Sequence, residues 1–271
     1  MGDEQQQPDA ARRFVRHADA FLAIDEELWQ PISLSTVARS EPQFGETVLD
    51  ACCGTGASAV PTAELVGPDG IVDAVDAAAP MVELAHARAE SVGGLPRLRL
   101  HVGDVLAWEP AGYDLVQCVL GVFFFDELDA GTRTLIERAR PGGRVAITVW
   151  QHGAFHSFRQ ALADAVAEVG GGSPDAPQEA DRTPGTTGAV AGWLHGLGLE
   201  RVRADAVPRH LPLDDDLAWR LVLGTGRRSL LDGLGKKPRR RVRERFTALL
   251  AERGIDRVDA STITAVGHRP A

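Results

Sequence analysis

Three aspartates, Asp50, Asp76 and Asp104, each follow a short apolar run, and Gly54 and Gly56 come directly after the first. A carboxylate at a strand end, then a tight glycine turn, then a helix, gathers backbone N–H groups at one sheet edge. That arrangement suits a nucleotide or nucleoside cofactor. The carrying stretch is Val48-Leu49-Asp50-Ala51-Cys52-Cys53-Gly54-Thr55-Gly56, followed by helical composition from Ala57 to Val66. Gly54-x-Gly56-x-x-Ala59 also fits the nicotinamide fingerprint, with Asp76 placed 20 residues after Gly56 for the ribose. Two details weigh against a dinucleotide. Asp50-Ala51-Cys52-Cys53 separates the strand from the glycines, and an Asp50 carboxylate sits badly beside a pyrophosphate. It suits a cofactor with a cationic amino group.

Other residues could act on a bound acceptor. His152 and His156 follow the apolar run that ends at Trp150. Imidazole titrates near neutrality, so either is a candidate general base if the acceptor must lose a proton. Each also has a plainer reading as a loop or helix-cap residue. His17 and His195 are weaker candidates. Val122-Phe123-Phe124-Phe125 supplies three adjacent aromatics that can wall an apolar pocket. The cysteines Cys52, Cys53 and Cys118 form neither a metal-ligand spacing nor a C-x-x-C pair; they read as small packing residues. No zinc or magnesium ligand set is visible.

The elements that position these residues alternate regularly. Strands are expected at Thr47–Asp50, Ile71–Val75, Leu98–Val102, Tyr113–Leu120 and Arg144–Trp150, with helices at Ala57–Val66, Pro80–Val92 and Glu127–Ala139. Strands alternating with helices imply an α/β, doubly wound, mostly parallel sheet. Leu199–Val207 and Thr262–His268 bring it to seven strands. Helical patterns at 12–40, 155–169 and Thr187–Leu197 flank it, the first broken at Pro31. Residues 1–44 form an N-terminal helical cap on a single domain over 45–271, with a helical insertion at about 208–256. Residues 1–10 read as disordered and 170–188 as a flexible loop.

Val48 to Gly56 resembles motif I of the class I S-adenosylmethionine-dependent methyltransferases. Val75-Asp76, Val102-Gly103-Asp104-Val105 and Pro141-Gly142-Gly143-Arg144-Val145 resemble the later motifs in order. The similarity is to the ubiquinone/menaquinone methyltransferase-like subgroup, over residues 45–150 and more loosely near 186–206 and 260–268. It implies a Rossmann-like methyltransferase fold with S-adenosyl-L-methionine as cofactor. The implied cofactor residues are Asp50, Ala51, Cys52, Gly54, Gly56, Asp76, Ala77, Met81, Asp104, Val105, Cys118 and Phe123. Asp76 would accept from the ribose hydroxyls, Asp104 from the adenine amino group, and Met81 would cover the adenine. Cys52 stands where the family usually has glycine. A side chain is tolerated there with a negative φ, and it narrows the space beside the methionine moiety.

Composition bounds the partners. The 271 residues carry a formal net charge of −9, which disfavours broad nucleic-acid binding. The one basic run, Lys236 to Arg245, reads as the solvated face of a helix whose apolar side is Val242, Phe246, Leu249 and Leu250. No membrane span or secretory signal is visible, so a cytoplasmic protein is expected, and a homodimer is compatible with this reading. The expected activity is methylation, at oxygen or carbon, of a small hydrophobic or aromatic metabolite. Three alternatives stay open: an RNA or protein methyltransferase, a cyclase that keeps the cofactor structurally, and an NAD(P)-dependent oxidoreductase.

Overall fold

A computed structural model describes residues 17–170 and 182–271. The expectations for residues 1–10, for the start of the 12–40 helical pattern, and for most of the 170–188 stretch fall outside the described residues.

Seven strands form one sheet: β1 (Thr47–Ala51), β2 (Ile71–Asp76), β3 (Leu98–Val102), β4 (Tyr113–Val119), β5 (Ala139–Trp150), β6 (Glu200–Val207) and β9 (Thr262–His268). Their order is β3-β2-β1-β4-β5-β9-β6. All neighbours are parallel except at β9, which runs antiparallel to β5 and β6. The order reverses direction at β1, so the connections leaving β1 and β4 run to opposite faces of the sheet and leave a crevice at the strands' carboxyl ends. β1 and β4 are almost entirely buried, as strands covered on both faces must be.

Helices α3 (Ala59–Val66), α4 (Ala79–Ser91), α5 (Leu128–Arg138), α6 (His156–Glu168) and α7 (Thr187–Gly196) flank the sheet. Pro80 sits in the first turn of α4, where a missing N–H costs nothing. The insertion adds α8 (Asp215–Gly224), α9 (Lys236–Glu252) and two strands, β7 (His210–Pro212) and β8 (Arg257–Asp259), paired with each other. These three-residue strands carry no periodicity that a sequence pattern could reveal.

The N-terminal stretch departs from one helix broken at Pro31. It divides into α1 (Ala18–Leu22), a π-helical turn at Asp25–Trp29, and α2 (Gln30–Ser40). Pro31 opens α2 instead of ending a helix. β5 also begins earlier than expected. Arg140 to Gly143 continue the strand through an irregularity opposite Tyr113/Leu115, with Gly142 at φ +73°.

α2 lies on the sheet through buried polar contacts. The Thr36 and Thr148 hydroxyls are 2.7 Å apart, and Thr148 and Thr264 are 3.0 Å apart. Arg144 grips the far end of α2: Nη2 and Nη1 donate to Glu46 at 2.6 and 2.9 Å, and Nε to the Ser40 carbonyl at 3.1 Å. A bidentate guanidinium–carboxylate pair of this kind fixes orientation as well as distance.

Candidate active site

β1 delivers Asp50 and Ala51, both fully buried, to the crevice. Register sets Asp50 between Ala74 of β2 and Gln117 of β4. Neither Asp50 oxygen meets hydrogen-bond geometry with a described residue. Burial pushes its carboxyl up to about 7; Ser58 and Gln117 offset part of that rise, and the Asp76 charge adds to it. Gln117 also bonds away from Asp50. Its Nε2 donates to Thr62 Oγ1 at 3.0 Å, and its Oε1 accepts from Ser40 Oγ at 3.4 Å. The Thr55 hydroxyl in the glycine turn is likewise buried without a hydrogen-bond partner.

The turn is built on left-handed residues: Cys52 at φ +57°, Gly54 at +54° and Gly56 at +77°. The expectation of a negative φ at Cys52 is therefore wrong. The turn keeps the conformation that glycine would adopt, and the cysteine bears a strain of about 1–2 kcal/mol. Gly56 has a second reason to lack a side chain, since a Cβ there would lie 3.1 Å from Ala85 Cβ on α4. Cys52 packs against Cys118 and Gly121. A Cβ on Gly121 would come within 2.7 Å of both Cys118 Sγ and Cys52 Cβ. The Cys118 contact and burial hold the Cys52 thiol well above its ordinary range, and burial does the same at Cys53. Both thiols stay protonated and act as packing.

Asp76, at the end of β2, ties the turn down. Its Oδ2 accepts from the Gly54 N–H and its Oδ1 from the Ala78 N–H, both at 2.9 Å. Burial raises its pKa, and these two bonds offset part of the rise. Beside it, Ala77 is half-buried. Met81 is buried with Ala18 and Ala78, and its Cε reaches the Gly54 turn. Asp104 is exposed at the end of β3, where its Oδ1 accepts from the Leu106 N–H at 2.9 Å. Val105 beside it is buried. Each carboxylate oxygen of Asp76 and Asp104 still has lone pairs for a ligand.

Beyond β4 and β5 the site becomes aromatic. Phe123 packs edge-on to Phe124 with centroids 4.7 Å apart. Trp150 meets Phe155 at 5.3 Å and Trp29 at 6.3 Å, and Trp29 stacks on Phe21 at 4.5 Å. Phe155 is itself left-handed at φ +60°, and the Arg227 guanidinium lies 3.6 Å over its ring. His152 and His156 flank Phe155 in sequence, and both are exposed. The His152 backbone N–H donates to the Gly185 carbonyl at 2.8 Å.

Residues 48–143 match a family model described as a methyltransferase domain. The nocamycin O-methyltransferase of Saccharothrix syringae is 31% identical over 203 residues, which cover 70% of this chain and 72% of that protein. The chain belongs to the class I S-adenosylmethionine-dependent methyltransferases. Aklanonic acid methyltransferase DauC of Streptomyces sp. (strain C5) is 31% identical over 57% of this methyltransferase and 72% of its own length. A solved structure of phosphoethanolamine N-methyltransferase 2 from Haemonchus contortus superposes with a TM-score of 0.56. It is 16% identical, and the match covers 94% of this chain and 57% of that one; the likeness is one of fold.

The residues present in this methyltransferase fit S-adenosylmethionine. The orphaned Asp50 carboxylate and Thr55 hydroxyl require polar partners, and an ammonium group is the natural partner of a buried carboxylate. The structure brings the residues around the turn together: Asp76 bonds Gly54, Met81 touches the same turn, and Cys52 meets Cys118. Sequence reasoning missed Thr55 and Gln117. Gln117 was visible as the one amide in a largely apolar strand.

Proposed function

We propose that this methyltransferase methylates an oxygen of a small, planar, hydrophobic acceptor. The observation that carries this reading is the aromatic layer Phe21–Trp29–Trp150–Phe155 next to Phe123, at the edge where β4 and β5 end. Stacked and edge-on rings favour a flat apolar ligand over a sugar or a polyanion. The two relatives named for nocamycin and aklanonic acid support a small organic acceptor.

S-adenosylmethionine supplies an electrophilic methyl on a sulfonium sulfur when bound. The protein's own part is binding and alignment. Asp50 would hold the amino group, Asp76 the ribose hydroxyls, and Asp104 with Val105 the adenine edge. Phe123 and the tryptophans hold the acceptor against that methyl and exclude water. Fixing two reactants in line can lower a barrier by about 7–11 kcal/mol, so positioning is the main contribution. For a phenolic acceptor, His152 or His156 takes the proton. If His152→Ala and His156→Ala each kept wild-type turnover, that role would be excluded.

The test follows a labelled methyl group from S-adenosylmethionine into 1-naphthol, ribose and bulk tRNA offered separately. Label is expected in the extracted naphthyl ether and absent from ribose and tRNA. Label in tRNA with none in the ether would contradict the reading.

A further inference from the structure

We infer that the acceptor carries a carboxylate, held by Arg209 with Gln151 beside it at the rim of the aromatic layer. This rests on the aromatic-acceptor reading above. The backbones of both residues hang on Ser261: the Arg209 backbone N–H donates to Ser261 Oγ at 3.1 Å, and the Gln151 backbone N–H donates to the Ser261 carbonyl at 3.0 Å. Gln151 directly follows Trp150 at the end of β5. The Arg209 side chain crosses to the N-terminal π-helical turn, where Nη1 donates to the Glu27 carbonyl at 3.3 Å. Glu27 is two residues from Trp29. Arg209 thus joins the same two elements that contribute the Trp29–Trp150 pair.

Arg209 is half-buried and makes no ion pair among the described residues. The Glu27 carboxylate is already engaged by Arg220 Nη1 at 2.8 Å. Burial lowers the Arg209 pKa, with no acidic group acting in the other direction. The guanidinium therefore has donors to spare in a planar fork that matches a carboxylate. Gln151 adds a second polar end: its Oε1 is buried and makes no hydrogen bond. A carboxamide can turn end for end, so this position can present N–H donors to an anion. The neighbouring arginines of the insertion contrast with Arg209. Arg220 is matched by Glu27 and Asp216, and Arg245 by Glu168 and Glu252. Arg227 places a further positive charge on the same aromatic layer.

The test is calorimetric titration of the full chain, saturated with S-adenosylhomocysteine, with 2-naphthoate and with the neutral 2-naphthamide. Wild type is expected to bind the naphthoate about tenfold tighter or more, as a charge-assisted pair provides. Arg209→Gln should lose that preference while binding the amide and S-adenosylhomocysteine as wild type does, and Arg209→Lys should keep part of it. An equal preference in Arg209→Gln, or none in wild type, would overturn the assignment. If Arg209→Gln fails to fold, Gln151→Leu decides: a several-fold loss confined to the naphthoate supports the site, and no loss overturns it. Should wild type bind S-adenosylhomocysteine but neither arene, the aromatic-acceptor reading falls as well. If both arenes bind alike, only the carboxylate is refuted.

Discussion

At Asp50 a carboxyl group is sealed from water with both oxygens unbonded, and burial lifts it to about 7. An unfolded aspartate titrates near about 4. Between these values the folded chain holds a proton that the unfolded chain has lost, so stability falls as pH rises through that window and levels off above it. The loss is about 4 kcal/mol. A cofactor ammonium beside Asp50 favours the ionised form, so affinity for S-adenosylmethionine should rise about eightfold from pH 6 to pH 7.5. Calorimetry at the two pH values tests this. Asp50→Asn should bind weakly with a flat profile, and an unchanged slope in that variant would refute the assignment. Cys52 supports a second prediction. Cys52→Gly should relieve the left-handed strain and raise stability by about 1 kcal/mol, or about 2–4 °C in Tm. Gly121→Ala should lower stability by about 1–3 kcal/mol, because its Cβ collides with Cys118 and Cys52. The three aspartates were legible because strand ends and glycine turns leave a local pattern. The φ of Cys52 was not, because the turn around it imposes its conformation against the residue's own preference.

Among the elements, α2 is bound to the sheet through polar groups more than its sequence suggests. Ser40, Gln117 and Thr62 form one buried chain of hydrogen bonds from α2 through β4 to α3. Gln117→Leu would take the Gln117 amide from the buried Thr62 hydroxyl, while Ser40 keeps the Val37 carbonyl at 3.2 Å, and should cost about 1–3 kcal/mol in urea unfolding. Because Gln117 lies beside Asp50, the same variant should also weaken cofactor binding; if it left both unchanged, the chain would be shown to be incidental. The aromatic layer predicts a separable effect. Trp150→Ala should reduce kcat/KM for the acceptor by about tenfold or more while leaving cofactor affinity near wild type, as steady-state kinetics and calorimetry would show. The strands were readable from their apolar runs. The split of the N-terminal stretch was not, because its cause is tertiary: Trp29 turns to stack on Phe21 and meet Trp150.

For the whole molecule, the sheet order places one crevice over β1 and β4 and one aromatic layer beside it, drawn from segments as distant as Trp29 and Arg227. The crevice was legible because its motifs are local and ordered along the chain. The acceptor side was only partly so, since Phe123 stood out but Arg209 and Gln151 meet only through Ser261. Charge is distributed in keeping with the net −9. Along α9, Arg240, Arg243 and Arg245 each pair with an acidic residue. Three of the seven basic residues in the run are thus paired, and with a net charge of −9 on the whole chain no salt-sensitive tRNA binding is expected in a mobility-shift titration. Among the described residues no helix is long and apolar enough to cross a membrane. The most direct test of the central claim is a calorimetric titration of the wild-type chain with S-adenosylmethionine and, separately, with NAD. One S-adenosylmethionine per chain and no heat from NAD is the predicted result; saturable NAD binding without S-adenosylmethionine binding would contradict it.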